Sequence, residues 1–519
     1  MAIFSAPETS AALTPNVRDL ALGRRSTTLS DQVGLGQPDD YFRFTLNGSS
    51  NIKLDLKRLW ADADVAILNE QGEVVSFSAK RNPRASESIR VNLAAGTYYV
   101  RVNAVSGDTS YQLSLSAKGL RSSRIGRSPA VQPPTPSDDR PVLEWNSVLL
   151  RAIAQDKTAP PVAARGMAIM NVAIHDAINS VLRFSKAYRV DTVKAPVWAS
   201  ADGAVAGAAY QTLISLFPSQ RGFLDASLGA ALAKVPDGAS EQAGFEVGVA
   251  VANQILAWRS TDGSATSVSY TPPTGYGQWQ PTAPNFAPGL LPQWPNVTPF
   301  ALSSGSQLRP GGPPSATSAQ YAAELGEVQS LGRSNSTART ADQTEIAYFW
   351  ADGAGSYTPP GHWVEIAAQV ARTKPLSIFQ DTELFTSLGV ALADAGIAAW
   401  DAKYHYNQWR PITAIRQNSD PAWTPLLSTP PFPDYISGHS TFSGAASTVL
   451  ARFFGDAYQF STTSMGTPGV VRSFGSFSQA ANEAGRSRVF GGIHVESANQ
   501  DGLAVGRLIA DYAVSKVLS

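Results

Sequence analysis

The sequence predicts a multidomain chain: an N-terminal antiparallel β-sandwich followed by a large all-α helical bundle that carries the chemistry. Three observations lead there. Residues 25–118 alternate apolar and polar side chains with period 2. From Val142 onward, apolar residues recur at i, i+3, i+4 and i+7. A proline-rich stretch separates the two patterns, and 519 residues exceed the ~100–200 of one ordinary domain. The boundaries read as an N-terminal tail at 1–24, the sandwich at 25–118, a linker at 119–141 and the helical domain at 142–519.

The strand signals run in order through Tyr41–Leu46, Ile52–Leu56, Val65–Leu68, Val74–Phe77, Ile89–Leu93, Tyr98–Val102 and Tyr111–Leu115. Turn chemistry separates them at Asn47-Gly48, Gln71-Gly72, Ala95-Gly96 and Gly107-Asp108. Short strands at this spacing imply a sandwich. The stretches QPDDYFRFTL, ADVAILNEQGEVV and LAAGTYYVRVNAVSGDTSYQLSLS resemble the bacterial pre-peptidase C-terminal domain family. That resemblance implies an accessory module of the kind found in exported proteins.

The linker, RSSRIGRSPAVQPPTPSDDRP, has five prolines and little apolar material, so it is expected to be extended and exposed. Arg121, Arg124 and Arg127 within it read as solvated charges. Helical periodicity follows in LEWNSVLLRAIAQ, PPVAARGMAIMNVAIHDAINSVLRF, DGAVAGAAYQTLISLF, EQAGFEVGVAVANQILAWR, ELFTSLGVALADAGIAAWDAKYHYNQWR and QDGLAVGRLIADYAVSKVL. The Pro-, Gly- and Trp-rich stretch Thr271 to Pro314 is too long for an ordinary connection and reads as a lid or an oligomer arm.

Composition excludes several function classes. Hydrophobic residues make up 43% and charged residues 16%, which suits a sizeable core. Lys+Arg and Asp+Glu both number 41, so a whole-chain nucleic-acid binder is not expected. With no cysteine there are no disulfides, thiol nucleophiles or thiolate metal sites. No run of 18 apolar residues predicts a membrane span, and MAIFSAPETSAALTPN lacks the basic and apolar regions of a signal peptide. Compartment is left open, with a lean to export from the accessory module. Histidine chemistry must draw on His175, His362, His405, His439 and His494.

Three clusters share one theme. In Lys403-Tyr-His-Tyr-Asn-Gln-Trp-Arg410-Pro411, seven helical residues are nearly two turns, placing Lys403 and Arg410 on one face about 10 Å apart. Pro411 is expected to end or kink that helix. Ser437-Gly438-His439 stands where a loop feeds a helix, whose free N–H groups favour an anion. Arg486-Ser487-Arg488 and, after Gly-Gly, His494 precede another long helix. Two arginines, a lysine, a hydroxyl and backbone amides could surround one oxyanion through charge-assisted hydrogen bonds of roughly 1.5–3 kcal/mol each. Two histidines remain for a phosphate-like centre.

Taken together, K-x6-RP, SGH and SR-x5-H resemble the type 2 phosphatidic acid phosphatase and vanadium-dependent haloperoxidase superfamily. The opening WNSVLLRAIAQDKTAPPVAARGMAIMNVAIHDAIN is similar to its bacterial haloperoxidase-type members. The resemblance implies that His494 binds vanadium. It implies that Lys403, Arg410, Ser437, Gly438 and Arg488 hold the vanadate oxygens, with His439 as acid–base group. Lys403 would also polarise peroxide. From FWADGAGSYTPPGHW it implies Asp352 as the partner of Arg488, and it places Trp400 and Phe432 at the halide pocket, as in the chloride-oxidising branch. The implied reaction uses hydrogen peroxide, a halide (bromide or iodide, and chloride at acidic pH) and a small organic acceptor.

Phosphate fits the same cage, so a soluble phosphatase using a phosphohistidine is the rival reading, and a non-catalytic adhesion protein the third. A homo-oligomer stays open. Many members have His-x3-Asp, whereas Ala498 stands at that Asp position here; Glu496, Asn499 and Asp501 are the alternatives for orienting the His494 ring. Of the other histidines, His175 reads as a structural partner of Asp176, and His405 points away from the Lys403 face. His362 is open between pocket rim and structure.

Overall fold

The computed structural model describes residues 17–119, apart from 21, 23–25, 35–38, 47, 49, 70–73, 79–85 and 94, and residues 140–518, apart from 197 and 236. Asn47, the Gln71-Gly72 turn, most of the tail at 1–24 and the linker arginines lie outside the described residues. The chain divides into two compact units, Met1–Pro134 and Thr135–Ser519.

The first unit contains β1 (Val17–Asp19), β2 (Thr27–Val33), β3 (Asp39–Leu46), β4 (Ser50–Lys57), β5 (Asp62–Leu68), β6 (Val74–Ser78), β7 (Glu87–Leu93), β8 (Gly96–Ser106) and β9 (Thr109–Gly119). They form two sheets, ordered β1-β3-β8-β5-β6 and β2-β9-β4-β7. Pairing of Phe42 with Val100 and of Leu54 with Leu115 sets both registers so that alternate residues enter one core. Phe42, Ile52, Leu54, Val65, Ile67, Val100 and Leu113 fill it. Two strands escape the sequence pattern. In β2 only Val33 is buried, so TTLSDQV lacks an apolar face. The three-residue β1 pairs in parallel with β3, a departure from the expected antiparallel scheme, and its Asp19 bonds Arg43.

The second unit is helical: α1 (Pro141–Asp156), α2 (Pro160–Leu182), α3 (Ala201–Leu216), α4 (Arg221–Leu232), α5 (Ala239–Arg259), α6 (Ala319–Leu331), α7 (Ala341–Phe349), α8 (Thr358–Arg372), α9 (Ile378–Tyr406), α10 (Pro411–Asn418), α11 (Gly438–Phe454), α12 (Phe477–Phe490) and α13 (Glu496–Val517). A hairpin, β10 (Phe460–Thr463) and β11 (Val471–Phe474), precedes α12. Arg140 belongs to this unit, since its guanidinium bonds the Asp381 carboxylate and the Ala371 and Lys374 carbonyls.

Helix α9 is the axis. A capping box of Ser377 and Gln380 starts it. It is long and apolar enough to cross a membrane, yet 94% of its apolar window is buried inside the protein, as befits a core helix. Beside it, α11 and α13 approach closely because of glycines. A Cβ on Gly444 would meet the Leu503 carbonyl at 2.4 Å, and one on Gly506 the Thr441 carbonyl at 2.2 Å. That approach brings the N-terminus of α11 beside that of α13.

The stretch expected to be a lid or oligomer arm is instead a strap fastened to its own chain. The Asp394 carboxylate of α9 accepts the backbone N–H groups of Phe300, Ala301 and Leu302. Arg309 forms a two-point bond with Asp401. The Leu290 carbonyl accepts both the Trp400 indole N–H and the Tyr404 hydroxyl, while the Leu290 N–H donates to the Pro431 carbonyl.

Candidate active site

Lys403 lies in the last turn of α9, fully buried. Its ammonium donates to the carbonyls of Pro433 (3.1 Å), Asp434 (2.9 Å) and Ile436 (2.6 Å). Three acceptors match the three protons of the charged form. Burial and the nearby Arg410 nonetheless pull its pKa well below the usual lysine range.

Arg410 is not on that helix. Asn407 turns into the left-handed region at φ 52° and ends α9, so Arg410 stands in extended backbone as the N-cap of α10, with Pro411 following. The expected shared helix face is therefore replaced by a turn. Its Nε donates to the Phe432 carbonyl at 2.7 Å and Nη1 to the Ile493 carbonyl at 2.7 Å. Nη1 also meets His494 Nε2 at 3.2 Å.

Ser437 is the N-cap of α11, its hydroxyl oxygen accepting the Ser440 N–H, which leaves its own proton free to donate. Gly438 and His439 follow in the first helical turn. The Nε2 of His439 is 3.2 Å from the Ala351 carbonyl. A carbonyl only accepts, so Nε2 carries the proton and Nδ1 is the basic atom. Burial, and then Arg488, hold this histidine well below its usual pKa.

Arg488 is in the last turn of α12 and donates to the Trp350 carbonyl at 3.0 Å. The Ser487 hydroxyl serves the Ala484 carbonyl of its own helix. The segment 350–352 thus holds Arg488 through one carbonyl and His439 through the next. Asp352, expected to pair with Arg488, is hydrogen-bonded instead to His362, with Oδ2 3.0 Å from Nδ1. Arg488 feels Asp352 only as a nearby charge. His362 is fully buried among Trp350, Phe349 and Tyr357, which resolves its two readings toward support of the turn beneath the site. His175 bonds Asp176 at 3.0 Å as a structural pair, and His405 is exposed.

His494 stands between α12 and α13. Its Nδ1 lies in close contact with Oδ1 of Asp434, outside hydrogen-bond geometry, and burial and the nearby Arg410 hold the ring well below its usual pKa. Asp434 was not among the candidates from sequence. The three that were are engaged elsewhere: Glu496 with Arg486, Asn499 with Ser440, and Asp501 with the Tyr435 hydroxyl. Burial pushes the Asp434 carboxyl up to about 7 against the pull of Arg410 and Lys403.

The cavity over these groups is walled by Trp400, Phe432, Phe442, Ile493, Pro160, Pro359 and Pro430, with Gly438, His439 and His494 opening into it. Trp400 and Phe432 have ring centroids 4.9 Å apart. The Phe432 ring sits 5.0 Å from the Lys403 ammonium and 4.8 Å from the Arg410 guanidinium.

Positive charge exceeds negative here. Burial lowers Arg410 to about 10 and Arg488 to about 9, and both remain charged near neutral pH. Arg410 Nη2 and Arg488 Nε are buried donors without a hydrogen-bond partner among the described residues. Buried guanidinium donors left unpartnered beside a helix N-terminus are chemistry suited to an anion, and His439 and His494 open into the same cavity.

The comparisons with known proteins agree. A family model described as the VCPO second helical-bundle domain matches residues 383–519, and the bacterial pre-peptidase C-terminal domain matches residues 39–104. A crystal structure described as the first bacterial vanadium-dependent iodoperoxidase is 32% identical, covering 72% of this chain and 95% of that one with a TM-score of 0.65. The vanadium chloroperoxidase of Curvularia inaequalis is 29% identical over 413 residues, covering 63% of this chain and 67% of that protein. A bacterial vanadium-dependent chloroperoxidase, 16% identical with a TM-score of 0.58 over 74% of this chain and 94% of its own, shares the fold. This chain belongs to the vanadium-dependent haloperoxidase family.

Proposed function

We propose that the helical unit oxidises halide with hydrogen peroxide, using vanadate held by Lys403, Arg410, Ser437, the Gly438 N–H, Arg488 and His494, and releases hypohalous acid to small organic acceptors. The observation that carries this reading is the pair of buried donors without a partner among the described residues, Arg410 Nη2 and Arg488 Nε, together with the 3.2 Å approach of Arg410 Nη1 to His494 Nε2. Bound vanadate would supply a vanadium(V) Lewis acid that activates peroxide without a change of valence.

The chain's own residues do the rest. Arg410 and Arg488 neutralise the oxyanion, and three carbonyls brace the Lys403 amine and favour its protonated form against the pull of burial. His439, neutral because of its burial, takes a proton at Nδ1 and returns it. The aromatic and proline wall excludes water from the halide.

Protein loaded with vanadate is expected to turn over bromide and iodide with peroxide, and chloride at acidic pH. No turnover with any halide overturns the reading. Phosphate fits the same donors, but the relatives named above are peroxidases, which favours halide oxidation. Phosphoester turnover inhibited by vanadate, without halide oxidation, would favour the phosphatase instead. The match to a pre-peptidase C-terminal domain supports export of the chain, which cell fractionation tests.

Phe432→His is expected to change the relative rates for iodide, bromide and chloride more than vanadate affinity. Its backbone carbonyl, which Arg410 uses, is kept, while the apolar ring facing Lys403 is lost. An unchanged halide ranking with collapsed vanadate binding would place Phe432 in support of the cage.

A chain beginning at Thr135 is expected to fold and keep full activity, because every proposed site residue and Arg140 lie within the second unit. Thermal melting and the halide assay on that truncation check it. Loss of either would make the sandwich part of the catalytic unit.

A further inference from the structure

The proposed vanadium ligand needs one ring nitrogen bare and the other fixed. The imidazole of His494 is constrained from both ends. On one side Arg410 Nη1 meets Nε2 at 3.2 Å, and a guanidinium can only donate, so Nε2 carries the lone pair. The proton must then sit on Nδ1, and the acceptor in close contact with Nδ1, although outside hydrogen-bond geometry as the ring now stands, is a carboxylate oxygen of Asp434. Both neighbours select the same tautomer.

Asp434 is fully buried and comes from the loop ahead of α11, not from the segment that carries His494. Its main chain is held independently of the histidine: its N–H donates to the Gln408 carbonyl, and its carbonyl accepts the Lys403 ammonium. Its carboxylate also lies 3.5 Å from Arg410 Nη1. One residue therefore joins the lysine, an arginine and the histidine of the cage. On α13, the helix that follows His494, Ala498 offers no polar side-chain atom, and Glu496, Asn499 and Asp501 are engaged elsewhere.

We propose that Asp434 is the positioning residue of the site: it fixes the Nδ1–H tautomer and ring plane of His494, so that Nε2 is presented to the oxyanion. This rests on the reading of His494 as the vanadium ligand. The role is a second-neighbour one, since Asp434 acts on the oxyanion through the imidazole.

The test uses the full-length chain with 15N-labelled histidine. Only five histidines are present, and the His494→Gln spectrum assigns the resonance of interest. Without vanadate, the wild type is expected to show His494 with Nδ1 protonated. In Asp434→Ala the tautomers mix and vanadate affinity, measured by calorimetry, falls ~10–100-fold. Asp434→Asn keeps an acceptor oxygen, so it retains more of the tautomer and loses less affinity. Glu496→Gln, whose carboxylate serves Arg486, leaves the tautomer unchanged.

A wild-type His494 protonated at Nε2 overturns the proposal. So does an unchanged tautomer and affinity in Asp434→Ala, or a tautomer shift in Glu496→Gln. Should Asp434→Ala not fold, the wild-type tautomer and the affinity of Asp434→Asn decide. If Asp434→Ala shifts the tautomer in a protein that does not bind vanadate, the positioning role stands and the vanadate reading falls.

Discussion

His494→Ala is expected to remove halide oxidation while the helical unit stays folded. The ring is buried, but it lies outside regular helix between α12 and α13, and its neighbours Ile493 and Val495 keep their own packing. Loss of one oxyanion donor costs roughly 10²–10³-fold in rate. His494 is assigned the bond to the metal itself, so the loss should exceed that range. Vanadate retention on gel filtration, circular dichroism and the peroxide–halide assay together check the expectation. A folded variant that retains vanadate and turns over would remove His494 from the ligand set.

Asp394→Ala is expected to give the largest loss of stability. The carboxylate is completely buried and is the acceptor for three consecutive backbone N–H groups at Phe300, Ala301 and Leu302. Removing it strands donors that cost roughly 1–3 kcal/mol each when buried and unmet, so a loss of about 3–5 kcal/mol is expected after water enters. Asparagine should recover part of the loss, because its oxygen in the Oδ2 position can still accept the Ala301 and Leu302 N–H groups while its NH₂ would face that of Phe300. Denaturant unfolding of the isolated second unit measures the loss. An unfolding free energy within about 0.5 kcal/mol of wild type, roughly the scatter of neutral surface changes, would show that the clamp is dispensable.

Much of the architecture is legible in the sequence because it is periodic. The alternation of β3, β4, β8 and β9 and the apolar faces of α2, α9, α11 and α13 are written in local spacing. The structure also brings Lys403, Arg410, Ser437, Gly438, His439, Arg488 and His494 around one site. What stayed hidden depends on chain direction or on distance. Asn407 in the left-handed region turns Arg410 off the Lys403 helix, and an Asn there has no periodic signature. Asp434 meets His494 only after α11 and α13 dock. The sole hint was an acid three residues before Ser437. Asp352 found His362 rather than Arg488 because the chain reverses between them, with Asp352 at φ 42° and Thr358 at φ 69°. The strap is held by isolated contacts, side chain to backbone and one ion pair, which leave no periodic pattern to read.

The peptide at Leu290 touches both aromatic walls of the cavity: its carbonyl takes the Trp400 indole, and its N–H takes the carbonyl next to Phe432. Two rings from distant parts of the chain are thereby coupled to a third segment that contributes no ring of its own. On the proposed reading of Trp400 and Phe432 as the halide wall, halide preference would depend on the strap as well as on the cage. Drift near residue 290 would retune the enzyme while every motif residue stays the same. Exchanging the strap between two haloperoxidases that favour different halides is the graft that would carry the preference across.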